Sequence, residues 1–485
     1  MLKKIFIPVL LVVLSSGNSF AQQSRTQAMG GLTYSILDRD NHLIPSDLRG
    51  NPAWLFVNEK ETYLRISPSL GNSWGDYHRK YDSEGTLDAS AAFTGIKTLG
   101  DLGTFYGFTS YNYENRRDYY RTLKKDTYAG EAFYFTDTTS GNFWYTGPQV
   151  QLMYSWPVFP GLYCGGSIYY EVMNGLKERY VYAKTIYRDL RTNFGLAYNI
   201  AENFILGASI KYTSSQEAIE GSDVNLMDAE VKNYRGETYY VSSRASSVTD
   251  KIQKQGFTVG TQLYWDDGEK TYLSLQCNYN PANTKILKPY KSIADVEEGY
   301  SAFEYLDIQF KGQYHVNENF LLGLYAAYYN DNSWSRASLS DLLIWEWKIK
   351  RIVGGIGSTY KISPALLVGL EYEYSSANVD SSKYIDKAFS KFTSGDHLVR
   401  AGLEYNLHEN IFLRLGFNYG KIEHDILNGG NNCMSYKVTG GVGFPLFDLI
   451  NVNANIQYIT LSPGSSANLY RNYLKGSISI ELKTF

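Results

Sequence analysis

The sequence predicts an all-β fold: a transmembrane antiparallel outer-membrane β-barrel of about 14–18 strands, best count about 18, with a plug-like N-terminal segment. Three observations predict it. A hairpin module recurs along the chain, apolar and polar residues alternate with a period of two, and the N-terminus has the form of a secretory signal.

The module reads Phe-Gly-Leu-Ala-Tyr-Asn-Ile from Phe194, then Ala201-Glu202-Asn203, then Phe-Ile-Leu-Gly-Ala-Ser-Ile-Lys-Tyr. It recurs from Ile308 (IQFKGQYHVNENFLLGLYAAYY), from Val399 (VRAGLEYNLHENIFLRLGFNY) and, more loosely, from Ile356 (IGSTYKISPALLVGLEYEY). Each copy is two alternating segments around a very short turn, which is a β-hairpin. Short turns are expected at residues 99–103, 156–161, 201–203, 266–269, 316–319, 363–365, 408–410 and 444–449. Longer polar loops are expected between them, with 216–254 the longest and 115–143 and 280–304 among the others. Short turns at one end and long loops at the other are the asymmetry of outer-membrane barrels.

The alternation gives each strand one apolar and one polar face. Leu306, Ile308, Phe310 and Tyr314 oppose Asp307, Gln309, Lys311 and Gln313. Leu366, Val368, Leu370, Tyr372 and Tyr374 oppose Gly369, Glu371 and Glu373. Ile411, Leu413, Leu415, Phe417 and Tyr419 oppose Arg414, Gly416 and Asn418. A soluble sandwich would alternate too. Strand lengths of about 9–11 residues and aromatics at strand ends favour the membrane barrel. Tyrosine leads those aromatics, with 44 Tyr against 23 Phe and 8 Trp, and a phenol suits an interface because its ring is apolar and its hydroxyl stays wet. The polar phase makes Asp307, Lys311, Glu371, Glu373, Arg400, Glu404 and Arg414 lumen-facing candidates. Their signs are mixed, which fits either a binding surface or a self-neutralising network that fills the lumen.

The start, MLKKIFIPVLLVVLSSGNSFAQQ, has a basic n-region at Lys3 and Lys4, an apolar core from Ile5 to Leu14, and a small-x-small site ending at Ala21. The expected organisation is a signal peptide at 1–21, a periplasmic or lumen plug segment at 22–60, and a barrel at 61–485, in the cell outer membrane. No cysteine follows the cleavage site, so a lipid anchor is not expected. With no later run apolar and long enough for a spanning helix, integration needs a closed barrel.

Composition excludes several classes. A net charge of −3 offers no basic excess for nucleic acid. Cys164, Cys277 and Cys433 fit neither a disulfide framework nor a zinc site. The six histidines lack metal-ligand spacing, and no nucleotide-binding loop or nucleophile elbow is present. No cofactor is expected. Asp396-His397 and His424-Asp425 at candidate loop-side strand ends are the residues a rim hydrolase would use; the main expectation is that the chain is not an enzyme.

Ala28-Met29-Gly30-Gly31, an Asp-containing stretch and then Asn51-Pro52-Ala53 ahead of a barrel resemble the long-chain fatty-acid transporter superfamily of outer-membrane proteins, including its Bacteroidetes branch with the type IX secretion shuttle barrel. The resemblance rests on about thirty residues. It implies that the N-terminal segment enters the lumen as a plug holding Asn51, Pro52 and Ala53. Here Trp54-Leu55 follows Pro52-Ala53 where a Gly often stands, which leaves the substrate open. The expected function is transport or uptake of a small molecule, a hydrophobic one included. The alternative is a secretion or surface-assembly scaffold that holds partner proteins through long loops. Expected partners are outer-membrane lipid and the barrel-assembly machinery, the latter suggested by the C-terminal Phe485.

Overall fold

The computed structural model describes residues 50–58, 62–119, 122–137, 139–177, 182–222, 229–245, 247–290, 293–408, 411–425, 430–447, 449–464 and 469–483. The signal segment, Ala28 to Gly31 and Phe485 lie outside them. From Tyr63 onward the chain forms an 18-stranded antiparallel sheet that closes on itself. Each barrel strand pairs with its neighbours in chain order. The first, Tyr63–Trp74, closes on the last, Arg471–Lys483, with Leu64 opposite Leu482 and Trp74 opposite Asn472.

The short turns fall where the hairpin module places them, and their geometry explains why the module repeats. Just before the turn the register shifts by one residue, between Asn199 and Ala201, His315 and Asn317, Lys361 and Ser363, and Asn406 and His408. A short loop with an adjoining bulge matches the twist of the paired strands. One solution is thus used repeatedly.

Strand length differs from expectation. The barrel strands run from 12 residues at Tyr63–Trp74 to 25 at Ile293–Asn317. Much of what reads as loop at 216–254 and 280–304 is strand that continues beyond the membrane. There the backbone ladders continue, and Ile219, Val248, Ile252 and Ile286 turn inward to be buried with the lid.

The outer face is apolar. Leu370 and Tyr372 are 57% and 40% exposed to the outside, while Glu371 between them is 1% exposed. Aromatic pairs bound this belt. Phe204 meets Trp265 (ring centroids 6.1 Å) near the short turn, and eight residues further along each strand Tyr212 meets Phe257 (5.0 Å). Eight residues at about 3.3 Å span roughly 26 Å along the strand, which matches a tilted crossing of the ~25 Å apolar band of such barrels.

At the long-loop end a lid folds inward. Phe133–Thr136 pairs with Ala229–Arg235, which pairs with Tyr239–Ala245, to make a three-stranded sheet separate from the wall. The predicted loop 216–254 therefore contributes a tucked hairpin. Phe133, Phe135 and Val231 of the lid are buried with Phe143, Tyr145, Ile219, Ile252 and Ile344 of the wall. At Gly299 a β-carbon would lie 2.2 Å from the Phe133 ring, so the wall is thinned where the ring enters.

Candidate functional site

Three parts make the site: a turn at the short-turn end, a chamber above it, and the lid at the far end. The turn is Gly50 to Leu55, followed into the one-and-a-half-turn helix Trp54–Asn58. Asn51, Ala53, Trp54 and Leu55 are buried. The Asn51 amide donates to the carbonyls of Leu196 (3.0 Å) and Ala208 (3.4 Å) and to Gln262 Oε1 (2.8 Å). Its Oδ1 accepts from the Ala53 N–H (3.0 Å), which closes an Asx turn around Pro52. Trp54 Nε1 also donates to Gln262 Oε1 (2.7 Å), and Ser155 Oγ donates to the Ala53 carbonyl (2.9 Å).

Glycines in the wall make room for this turn. A β-carbon on Gly165 would lie 2.4 Å from the Pro52 carbonyl carbon, one on Gly195 would lie 1.9 Å from Asn51 Oδ1, and one on Gly207 would lie 3.0 Å from Asn51 Nδ2. Glycine inside a strand marks close approach of another backbone. Here three neighbouring strands supply the cradle.

The chamber has a volume of about 990 Å³ and its floor is Gly50 and Trp54. Tyr63, Tyr106, Phe108 and Tyr169 line one arc of its wall; Lys211, Gln262, Gln276, Asn278, Gln309 and Lys311 line the next. Arg65 and Arg191 enter it already paired, with Glu481 (2.7 Å) and Asp189 respectively. A second cavity of about 480 Å³ flanks the lid on the side of the first and last strands, lined by Asp88, Arg116, Lys125, Arg471 and Lys475 among others.

The charged residues singled out in the sequence divide into two groups. Asp307 and Lys311 line the chamber, where Asp307 accepts from Asn278 Nδ2 (3.1 Å) and Gln309 Nε2 (3.2 Å). Glu371, Glu373, Arg400, Glu404 and Arg414 lie in another part of the wall. Arg400 donates to Glu373 (2.8 Å) and sits 3.5 Å from Glu371, and Arg414 donates to Glu404 (2.6 Å). These five do not line the chamber. Sequence reasoning missed Tyr106, Gln151, Lys211, Gln262 and the cradle glycines; only strand-interior glycine could have pointed to the last.

The Asp–His pairs do not form dyads. His397 Nδ1 lies 2.8 Å from the Tyr372 hydroxyl and packs on Tyr374 (5.1 Å), whereas Asp396 accepts from Ser394 (3.0 Å). Neighbouring strand residues face opposite ways. His424 Nδ1 contacts Asn431 Oδ1 (2.7 Å), while Asp425 accepts from the Tyr77 hydroxyl (2.8 Å).

The lid is held by charge as well as packing. Lys177 and Asp137 form an ion pair at 0% exposure of both side chains. Lys124 and Glu131 form another at 2.6 Å. Asp386, in a loop beyond the barrel strands, accepts from the N–H groups of Glu237 (2.9 Å) and Thr238 (2.8 Å) at the lid hairpin's turn. Burial raises the Asp386 carboxyl, but these hydrogen bonds, with those from Thr238 Oγ1 and Trp345 Nε1, outweigh it and hold it below the ordinary carboxylate range. A depressed native pKa stabilises above the unfolded value of about 3.9 and is lost as pH falls through the native one. The clasp is therefore expected to hold at neutral pH and release only below about pH 4. Hydrogen exchange at Gly236 to Thr238 should rise over that window, and Asp386→Asn should show fast exchange already at neutral pH; a flat profile in the unaltered chain would refute the clasp.

A closed sheet with an apolar, aromatic-bounded exterior and a polar interior defines a transmembrane β-barrel of the outer-membrane class. The chain belongs to a family of unknown function (DUF6850), whose model matches residues 52–333. That span begins at Pro52 within the turn and includes the cradle, the lid strands and most of the chamber. No curated protein matches the chain. Similar solved structures include the closed form of the ferric-catecholate import receptor Fiu from E. coli K12, at TM-score 0.49 and 9% identity over 87% of this chain and 82% of that one. The siderophore receptor PiuA from Acinetobacter baumannii is similar at TM-score 0.45 and 8% identity, over 88% and 82%. A deltaS2 mutant of the TodX monoaromatic hydrocarbon channel is similar at TM-score 0.35 and 10% identity, over 95% and 98%. Likenesses this distant carry no information on substrate.

Proposed function

We propose that this protein is a gated outer-membrane channel that takes up a small polar solute. On this reading residues 1–21 are a signal peptide, 22–60 form the periplasmic gate through Asn51, Pro52 and Ala53, and 61–485 form the barrel. The carrying observation is the chamber of about 990 Å³ with the turn as its floor. Its size is at the upper end of the ~300–1,000 Å³ of small-molecule sites. Its lining of amides, hydroxyls and paired charges favours a polar cargo over a hydrophobic one. The cavity beside the lid would be the way in from outside. The strand Ala229–Arg235 packs on the barrel through Val231 and Tyr234, which favours a lid, while Tyr239, Tyr240 and Val241 of its partner strand are exposed.

Swelling of proteoliposomes in polar solutes of graded size tests the proposal. The unaltered barrel should admit little, and Asn51→Ala should admit solutes up to a size limit. Exclusion of every solute by both, with correctly folded barrels, would overturn it.

A further inference from the structure

Two arcs of the chamber wall carry complementary chemistry. Tyr106 and Phe108 project from one strand, two residues apart and so on the same face, and Phe108 stands in register with Gln151 of the next strand. Tyr63 and Tyr169 extend the same arc. None of these four rings is fully buried; the Arg65 guanidinium lies over the Tyr63 ring (5.3 Å) and that of Arg191 over the Tyr169 ring (4.7 Å). The following arc presents Gln262, Gln276, Asn278 and Gln309, which both donate and accept hydrogen bonds.

The charges are mostly spent on one another. Arg65 is bound by Glu481 and Arg191 by Asp189, and Asp307 accepts from Asn278 and Gln309. Such a balance does not select a strongly charged guest. Gln262 ties this arc to the turn, its Oε1 accepting from Asn51 Nδ2 and Trp54 Nε1.

From this juxtaposition we infer that the chamber binds a neutral, hydroxyl-rich ring compound, an oligosaccharide, whose ring faces lie on Tyr106 and Phe108 and whose hydroxyls meet the amides of the next arc. The inference rests on the uptake reading above for how the sugar arrives, but binding is measured without transport. Calorimetry of the full-length detergent-purified barrel with glucose-, xylose- and N-acetylglucosamine-based oligosaccharides of two to six rings should show saturable binding by at least one series. Tyr106→Ala combined with Phe108→Ala should weaken that binding at least tenfold, Tyr106→Phe should keep it, and Lys311→Gln should change it less than about threefold. Heat-modified migration on gels checks that each variant is folded. Absence of saturable binding by every series overturns the inference, as does a tenfold loss in Lys311→Gln, which would mark an anionic guest. Solute swelling without sugar binding would leave the channel standing and remove the sugar; sugar binding without swelling would do the reverse.

Discussion

Asp137→Ala is expected to free the lid while leaving the barrel folded. The substitution strands the Lys177 ammonium at a site where both partners are 0% exposed. Removing one member of a buried pair costs about 3–5 kcal/mol, because the remaining charge keeps its desolvation cost without its partner. The carbonyl of Thr139 still accepts from Lys177 Nζ (2.7 Å), which places the expected cost toward the lower end. Hydrogen exchange of the Phe133–Thr136 strand should accelerate by two orders of magnitude or more, and trypsin should gain access at Lys124 and Lys125. Thermal unfolding of the barrel should hold. Asp137→Leu with Lys177→Met removes both charges and should restore most of the protection. Equal exchange in Asp137→Ala and the unaltered chain would show that apolar packing alone holds the lid.

Gly165→Ala and Gly195→Ala are expected to evict the N-terminal turn. The added carbon at Gly165 meets backbone atoms of Pro52 and Ala53 at 2.4 and 2.5 Å, and backbone cannot swing aside as a side-chain tip can. Overpacking of this kind costs about 1–3 kcal/mol, a fall of roughly 5- to 150-fold in the docked population. The amides of Trp54 and Leu55, which donate to the carbonyls of Asn51 (3.3 Å) and Pro52 (3.2 Å), should lose exchange protection. Planar-bilayer conductance should rise with it. Gly166→Ala is the control, since nothing lies within 4 Å of a carbon placed there. Unchanged protection and conductance in Gly165→Ala would remove the turn as a gate.

The barrel was legible because its signals are local. Turn, bulge and alternation each occupy a few consecutive residues, so the hairpins around 201–203, 316–319 and 408–410 could be placed from sequence. The strand ends were not, because above the membrane Glu297, Tyr300 and Ser301 remain paired without an apolar phase to reveal it. The chamber was the least legible part. Charge drew attention to Glu371, Arg400 and Arg414, yet Arg400 pairs with Glu371 and Glu373, and Arg414 with Glu404. Many of the residues that line the chamber are instead neutral amides and phenols scattered between Tyr63 and Gln309, and no local pattern ties Phe108 to Gln276.

The glycine cradle also bears on how the molecule assembles. The partners of Asn51 lie 145, 157 and 211 residues away in the chain, whereas the hairpins join neighbours. Contacts that distant form late, after the strands between them. A slip of one residue in the strand Tyr182–Ala201 would turn Phe194 and Leu196 inward and Gly195 outward, leaving the turn nowhere to sit. Seating of the Asn-Pro-Ala turn therefore needs a wall whose register is correct, and a misregistered strand would leave the turn unseated.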